Sequence, residues 1–204
     1  MVPDLEPMLA DRGLPSGDLG CWAVEPKLDG WRVTVLADPS LPGGVVVRTR
    51  RGHVITGSVP GIEALGRVGR SLVLDGELVA GAGRASDFYS LMPGIGRRVM
   101  GGTAPLSFWA FDVLWLDGEL LVDRSYGDRR AVLEELPVDG ACRVVRRFPG
   151  TDAQDLLDAC VAHDVEGVVL KRLASRYRPG RSRHWRKVKA PGWAAIHAQR
   201  RRPQ

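Results

Sequence analysis

Lysine is nearly missing from this 204-residue chain. Of its 29 basic residues, 25 are arginine, which leaves only Lys27, Lys171, Lys187 and Lys189. Cysteine is scarce too. Cys21, Cys142 and Cys160 lie far apart and form no C-x-x-C pair, which argues against a disulfide framework and gives no zinc-ligand spacing. A reducing, cytoplasmic setting is the expectation. No apolar run approaches the roughly 20 residues of a membrane-spanning helix, so no membrane partner is expected. The opening stretch, MVPDLEPMLADRG, has neither a basic nor an apolar segment, so a secretion signal is not expected. Acidic residues also run out, since none of the 24 follows Glu166.

What is present suits one globular domain, here expected over residues 1–190 with a basic tail at 191–204. Hydrophobic residues make up 44% and charged residues 26%, ordinary values for a soluble folded chain with a sizeable core. The net charge of +5 is unevenly placed. Residues 171–204 carry twelve basic and no acidic residues, so the first 170 carry −7. A basic end on an acidic body points to a polyanionic partner, either nucleic acid or nucleotide phosphates. Over 171–189 the charges alternate with aromatic and apolar residues, unlike a plain solvated tail such as Arg200–Arg202.

Strands are expected at 31–37, 44–50, 71–80, 106–116, 142–148, 167–172 and 184–189, which are rich in Val, Trp and Phe and bounded by Gly, Pro or Asp. The turn-forming DPSLPGG at 38–44 suggests that the first two form a hairpin. Helices are expected at 151–164, capped by Thr151 or Asp152, and at 126–137, closed by Pro137. A weaker third, at 86–100, is interrupted by Pro93 and two glycines. The mixture implies an α+β fold with antiparallel sheets. LDGEL occurs at 74–78 and again at 116–120, and two Asp-Gly hairpin turns would account for both copies.

Scarcity makes each lysine informative. Arginine stays protonated and offers no lone pair, whereas lysine becomes a nucleophile once its proton is lost. Desolvation or nearby positive charge favours that loss. Lys187 and Lys189, at i and i+2 of a strand, point to one face and could supply the charge beside Lys27. The competing view treats the four lysines as leftovers of an arginine-rich codon bias. Their positions argue against it, because each lies in a strand-like stretch beside Gly, Trp or a carboxylate.

EPKLDGWR at 25–32 resembles the K-x-D-G motif of covalent nucleotidyltransferases, the group of ATP-dependent DNA ligases, RNA ligases and capping enzymes. Five further stretches match motifs of that group, in its order: TRRG (49–52), LDGEL (74–78), FDVLWLDG (111–118), EGVVLK (166–171) and RSRHWRKVK (181–189). The resemblance covers nearly the whole chain. It is strongest to bacterial ATP-dependent DNA ligases, especially the ligase module of ligase D-type end-joining enzymes.

The resemblance implies a covalent nucleotidyltransferase (ATP-grasp-like) fold with a central nucleotide cleft. Lys27 would attack the α-phosphorus of ATP and form lysyl-AMP. Phe111 would stack on adenine, Glu25 would help select the base, and Arg32 and Glu77 would contact the ribose. Arg181, Lys187 and Lys189 would hold the α-phosphate and its neighbours, and Arg50 a phosphate of the nucleotide or of the DNA. Glu77 and Glu166 would hold Mg²⁺ (or Mn²⁺), directly or through water. The resemblance also selects the first LDGEL, so that Glu77 takes the role and Glu119 sits at an ordinary turn. Asp29 would organise the loop around Lys27. Lys171 occupies a motif position, but an exposed lysine at a strand end is nearly as good a reading.

DNA ligases of this kind normally continue into an oligonucleotide-binding (OB-fold) barrel, for which the 15 residues after Lys189 do not suffice. The expected partners are therefore nicked or broken duplex DNA and a protein that supplies an OB-fold or acts in end joining. Weak sealing without that barrel is expected. RNA ligation, and a non-catalytic nucleotide- or nucleic-acid-binding module, are the alternatives.

Overall fold

A computed structural model describes residues 5–80, 106–138 and 142–193. Eleven strands in this part of the chain make two sheets. The first sheet has the order β1-β11-β10-β2-β9. Its strands are β1 (Met8–Arg12), β2 (Trp22–Lys27), β9 (Phe148–Pro149), β10 (Gly167–Arg172) and β11 (Gly180–Lys189). The second has the order β4-β3-β5-β6-β7, with β8 added beside β6. Its strands are β3 (Trp31–Ala37), β4 (Val45–Thr49), β5 (Leu72–Ala80), β6 (Leu106–Leu116), β7 (Glu119–Leu120) and β8 (Cys142–Val144).

Period-two alternation sorts the first sheet into two faces. Trp22 and Val24 of β2 and Val168 and Leu170 of β10 pack beneath helix α2 (Ala153–Ala162), against Leu157 and Cys160. The intervening residues Glu25, Lys27, Val169 and Lys171 therefore face the other way, toward the second sheet. On that second sheet, Val33, Val35, Leu74, Phe108 and Val113 form the largest core with Leu133 of helix α1 (Tyr126–Glu135). Between the sheets a small cluster of Met8, Val73, Leu114, Tyr177 and Trp185 closes one end of the gap. The other end stays open as a cleft.

Several local expectations are corrected. Two pairings are parallel, β1 with β11 and β6 with β8, so the sheets are not wholly antiparallel. The stretch 142–148 is two short strands in different sheets. Strands β1 and β2 carry Met8 and Lys27, and neither has a clear alternation of apolar and polar residues in the sequence. Asp152 occupies the N-cap position of α2, but its side chain makes no capping bond. The expected helix at 86–100 and the tail beyond Trp193 lie outside the described residues.

The first LDGEL is not a hairpin. Asp75 and Gly76 lie in the middle of β5, paired on both sides by β3 and β6. A Cβ at Gly76 would collide with the Phe108 ring and with the Trp109 carbonyl, so only glycine lets β6 approach this closely. The second LDGEL is a turn, with Asp117 at φ 44° and Gly118 at φ 95° between β6 and β7.

Candidate active site

The cleft between the sheets has a volume of about 280 Å³. Its lining includes Glu25, Lys27, Arg32, Arg50, Glu77, Phe111, Arg181 and Lys187, all expected site residues, and also Lys171 and Trp185. Strand register brings them together. Across the first sheet, Glu25 lies opposite Val169 and Val169 opposite Lys187, while Lys27 lies opposite Gly167 and Gly167 opposite Lys189. Directly opposed residues share a face, so both β11 lysines and Lys27 face the gap. Gly167 (φ 146°) must be glycine, because a Cβ there would strike Val188 O and the Lys189 Cα.

Phe111 reaches the cleft through a bulge. Asp75 pairs with Asp112 but Gly76 pairs with Ala110, leaving Phe111 as the extra residue. A bulge sets two successive side chains on one face. Phe111 lines the cleft, edge-on to Trp185 with ring centroids 6.1 Å apart. Asp112 instead forms a fully buried bidentate pair with Arg129 of α1, through bonds of 2.8 Å to each carboxylate oxygen.

The surroundings of the Lys27 amine differ from the expectation of bare positive charge. Lys27 Nζ donates to Glu166 Oε2, and the other oxygen of Glu166 takes Lys189 Nζ at 2.9 Å. Lys189 is further held 4.0 Å from the centroid of the Trp193 ring. Its charge is thus compensated, and Glu166 bridges the two lysines. Burial acts to raise the Glu166 carboxyl, but Lys27 and Lys189 outweigh it and hold the group below its usual range. Lys187 lies closer to the bare-charge picture. Burial lowers its pKa, and the nearby Lys27, Arg181 and Arg12 lower it further.

Glu77 faces the same space without a hydrogen-bond or ion-pair partner among the described residues. Burial raises its pKa to about 7, despite Lys27 and Arg32, with Asp75 and Glu166 adding to the rise. A partnerless carboxyl lining a cleft next to a second carboxylate suits a hard divalent cation. Mg²⁺ commonly takes one or two carboxylates and completes its shell with phosphate oxygens and water.

For Lys171 the alternative reading is corrected. It is not exposed at a strand end but 1% exposed in the cleft floor. Its Nζ is 2.7 Å from Glu25 Oε2 and donates to Phe111 O at 3.1 Å. Burial lowers its pKa, and the Glu25 carboxylate opposes the fall. Glu25 is itself 2% exposed, accepting from the Tyr126 hydroxyl and from Arg130 Nη1 at 3.3 Å. Helix α1 thus buries Tyr126, Arg129, Arg130 and Leu133. These positions have helical spacing, yet two are arginines, and a search for apolar stripes passes over them. Arg50 and Arg181 are exposed at the rim, with Arg181 3.7 Å from Asp11.

The profile of the ATP dependent DNA ligase domain matches residues 7–189. The chain belongs to this family. Over 205 residues the ligase domain is 38% identical to the multifunctional non-homologous end joining DNA repair protein LigD of Mycobacterium tuberculosis. That match covers 94% of this chain and 26% of LigD. A probable DNA ligase of Nocardioides is 40% identical over 195 residues, covering 92% of this chain and 36% of that protein. A solved structure of mycobacterial DNA ligase D complexed with ATP and MES shares 37% sequence identity with the ligase domain. It superposes with a TM-score of 0.73 over 91% of this chain and 60% of that one. The chain spans about a quarter of the length of LigD. No helix of the described residues is long and apolar enough to cross a membrane.

Proposed function

We propose that this ligase domain binds ATP in the cleft, adenylates itself on Lys27 and passes AMP to the 5′-phosphate of nicked or broken duplex DNA. The reading rests on one observation. A single cleft gathers a lysine amine, an aromatic ring, an arginine and a carboxyl without a hydrogen-bond partner among the described residues, from four strands of two sheets.

The neutral Lys27 amine attacks the α-phosphorus, a P–N bond forms, and the bond to pyrophosphate breaks. Glu166, already bonded to the amine, holds it at one place and is the nearest group able to take its proton. Lys187, with Arg181 at the rim, offers positive charge to the equatorial phosphate oxygens, where charge builds in the transition state. Phe111 offers a face to adenine, and Lys171 and Glu25 bring donor and acceptor groups to the floor beside it. Arg32 and Glu77 serve the ribose, and Arg50 a phosphate at the mouth. Glu77 and Glu166 would hold Mg²⁺, which when bound neutralises phosphate charge. In the later steps the DNA 5′-phosphate takes AMP from Lys27, and a 3′-hydroxyl then displaces AMP to make the phosphodiester.

Both sheets of the described residues are used to build this cleft, and neither forms an OB-fold barrel. Multiple-turnover sealing is therefore assigned to the ligase domain together with such a barrel or an end-joining partner. Intact mass after incubation with ATP and Mg²⁺ tests the first step. One added adenylate is expected, lost in Lys27→Arg. An adduct that survives in Lys27→Arg would place the chemistry elsewhere. Labelled nicked duplex added afterwards should receive AMP at its 5′-phosphate.

A further inference from the structure

The Arg32 guanidinium is fixed along one edge. Its Nε and Nη2 each donate to one oxygen of Asp75, both at 2.5 Å, and Nη2 also donates to Met8 O at 3.1 Å. Three of its five N–H groups are thereby used. The two on Nη1 have no hydrogen bond among the described residues, and Arg32 lines the cleft. The guanidinium carbon lies 4.5 Å from the centroid of the Phe111 ring, which confines it on another side.

Asp75 is held in its turn. The Tyr177 hydroxyl donates to Asp75 Oδ2 at 2.6 Å and accepts from Met8 N at 2.9 Å. Tyr177 is 1% exposed and Asp75 is fully buried. Burial, and Asp75 next to it, push the phenol well above its ordinary range, so the hydroxyl remains a donor at any working pH. One hydroxyl thus joins the loop before β11 to β1 and β5. It holds Asp75 in the orientation that takes both hydrogens of the arginine fork. A bidentate fork transmits orientation as well as charge.

We infer that Tyr177 is a positioning residue for ribose recognition: through Asp75 it aims the Nη1 edge of Arg32 at the vicinal hydroxyls of the nucleotide sugar. The inference rests on the reading of Arg32 as a ribose contact. Tyr177 touches no substrate. Its removal loosens a donor pair that matters only when the sugar carries the hydroxyls it serves.

The test compares self-adenylation with ATP, 2′-deoxyATP and 3′-deoxyATP, in the whole chain and in Tyr177→Phe. The substitution keeps the ring and removes the hydroxyl. Tyr177→Phe is expected to raise KM for ATP about tenfold, the worth of one charge-linked hydrogen bond. It should leave the KM of the deoxynucleotides within about twofold, so that sugar discrimination collapses. In an Arg32→Lys background, adding Tyr177→Phe should change the discrimination no further. An unchanged preference in Tyr177→Phe, even with a lowered Tm, would show a purely structural role and overturn the inference. So would an equal further loss in the Arg32→Lys background, or equal use of all three nucleotides by the unaltered chain. These results leave lysyl-AMP formation standing. Absence of any adduct with ATP in the unaltered chain would instead remove the underlying reading, and the inference with it.

Discussion

Replacing Asp112 with asparagine should be among the costliest conservative changes in this domain. Asp112 and Arg129 both have fully buried side chains, joined by two bonds of 2.8 Å. Arg129 also donates to Arg124 O at 2.8 Å and to Ser175 O at 3.2 Å, so four of its five N–H groups are engaged and the guanidinium is held in place. Burial alone would favour its neutral form, but Asp112 outweighs burial and raises its pKa, so the guanidinium stays charged. Asp112→Asn keeps the shape, leaves that charge without a counter-ion and turns one amide NH₂ toward it. Breaking a buried pair from one side costs about 3–5 kcal/mol. For a domain of this size that corresponds to a Tm lower by roughly 6–20 °C. Urea unfolding followed by near-UV circular dichroism reads the loss as a lower midpoint at unchanged slope. Replacing both partners with apolar residues, Asp112→Leu with Arg129→Met, should recover most of it, because no orphaned charge remains. A loss below about 1 kcal/mol for Asp112→Asn alone would refute the argument that the pair is dry and irreplaceable one partner at a time.

Glu77→Gln should flatten the pH dependence of stability between pH 4.5 and about 7, measured without divalent cations. The folded chain holds the Glu77 proton up to about pH 7 and the unfolded chain only to its usual 4.5. The wild type should therefore lose on the order of 1–3 kcal/mol relative to the variant as pH rises through that window, and a loss on lowering the pH would contradict this sign. Gly76→Ala should destabilise by about 1–3 kcal/mol, since the new methyl meets the Phe108 ring and the Trp109 carbonyl. A thermal scan showing no change would mean that β5 and β6 can separate without cost.

Much of the site was legible in one dimension. Four lysines among 29 basic residues drew attention to Lys27, Lys187 and Lys189, and all three lie on one face of the first sheet. The i, i+2 spacing of Lys187 and Lys189 was enough for their shared direction. Strands β3, β5, β6 and β10 and helix α1 were recognisable because their boundaries carry Gly, Pro or Asp. Strand β2 was not, because Pro26 interrupts the run and apolar Ala23 on the face of Glu25 and Lys27 blurs the alternation. For Lys171 the surface reading stood nearly level with the motif position, since nothing local shows that Glu25, from a different strand, neutralises it.

The sequence alone determined the chemistry on offer: which side chains can attack, which can carry charge, and in what order along the chain they come. It also determined each strand's two faces, because alternation is a local property of extended backbone. Pairing was settled only when the chain folded. Glu166 came to bridge Lys27 and Lys189, Asp112 met Arg129, and a bulge set Phe111 and Asp112 side by side on one face. Those outcomes depend on cross-strand register and on which buried charges meet a partner. Both depend on the free energy of whole sheets packed together, to which segments more than a hundred residues apart contribute at once.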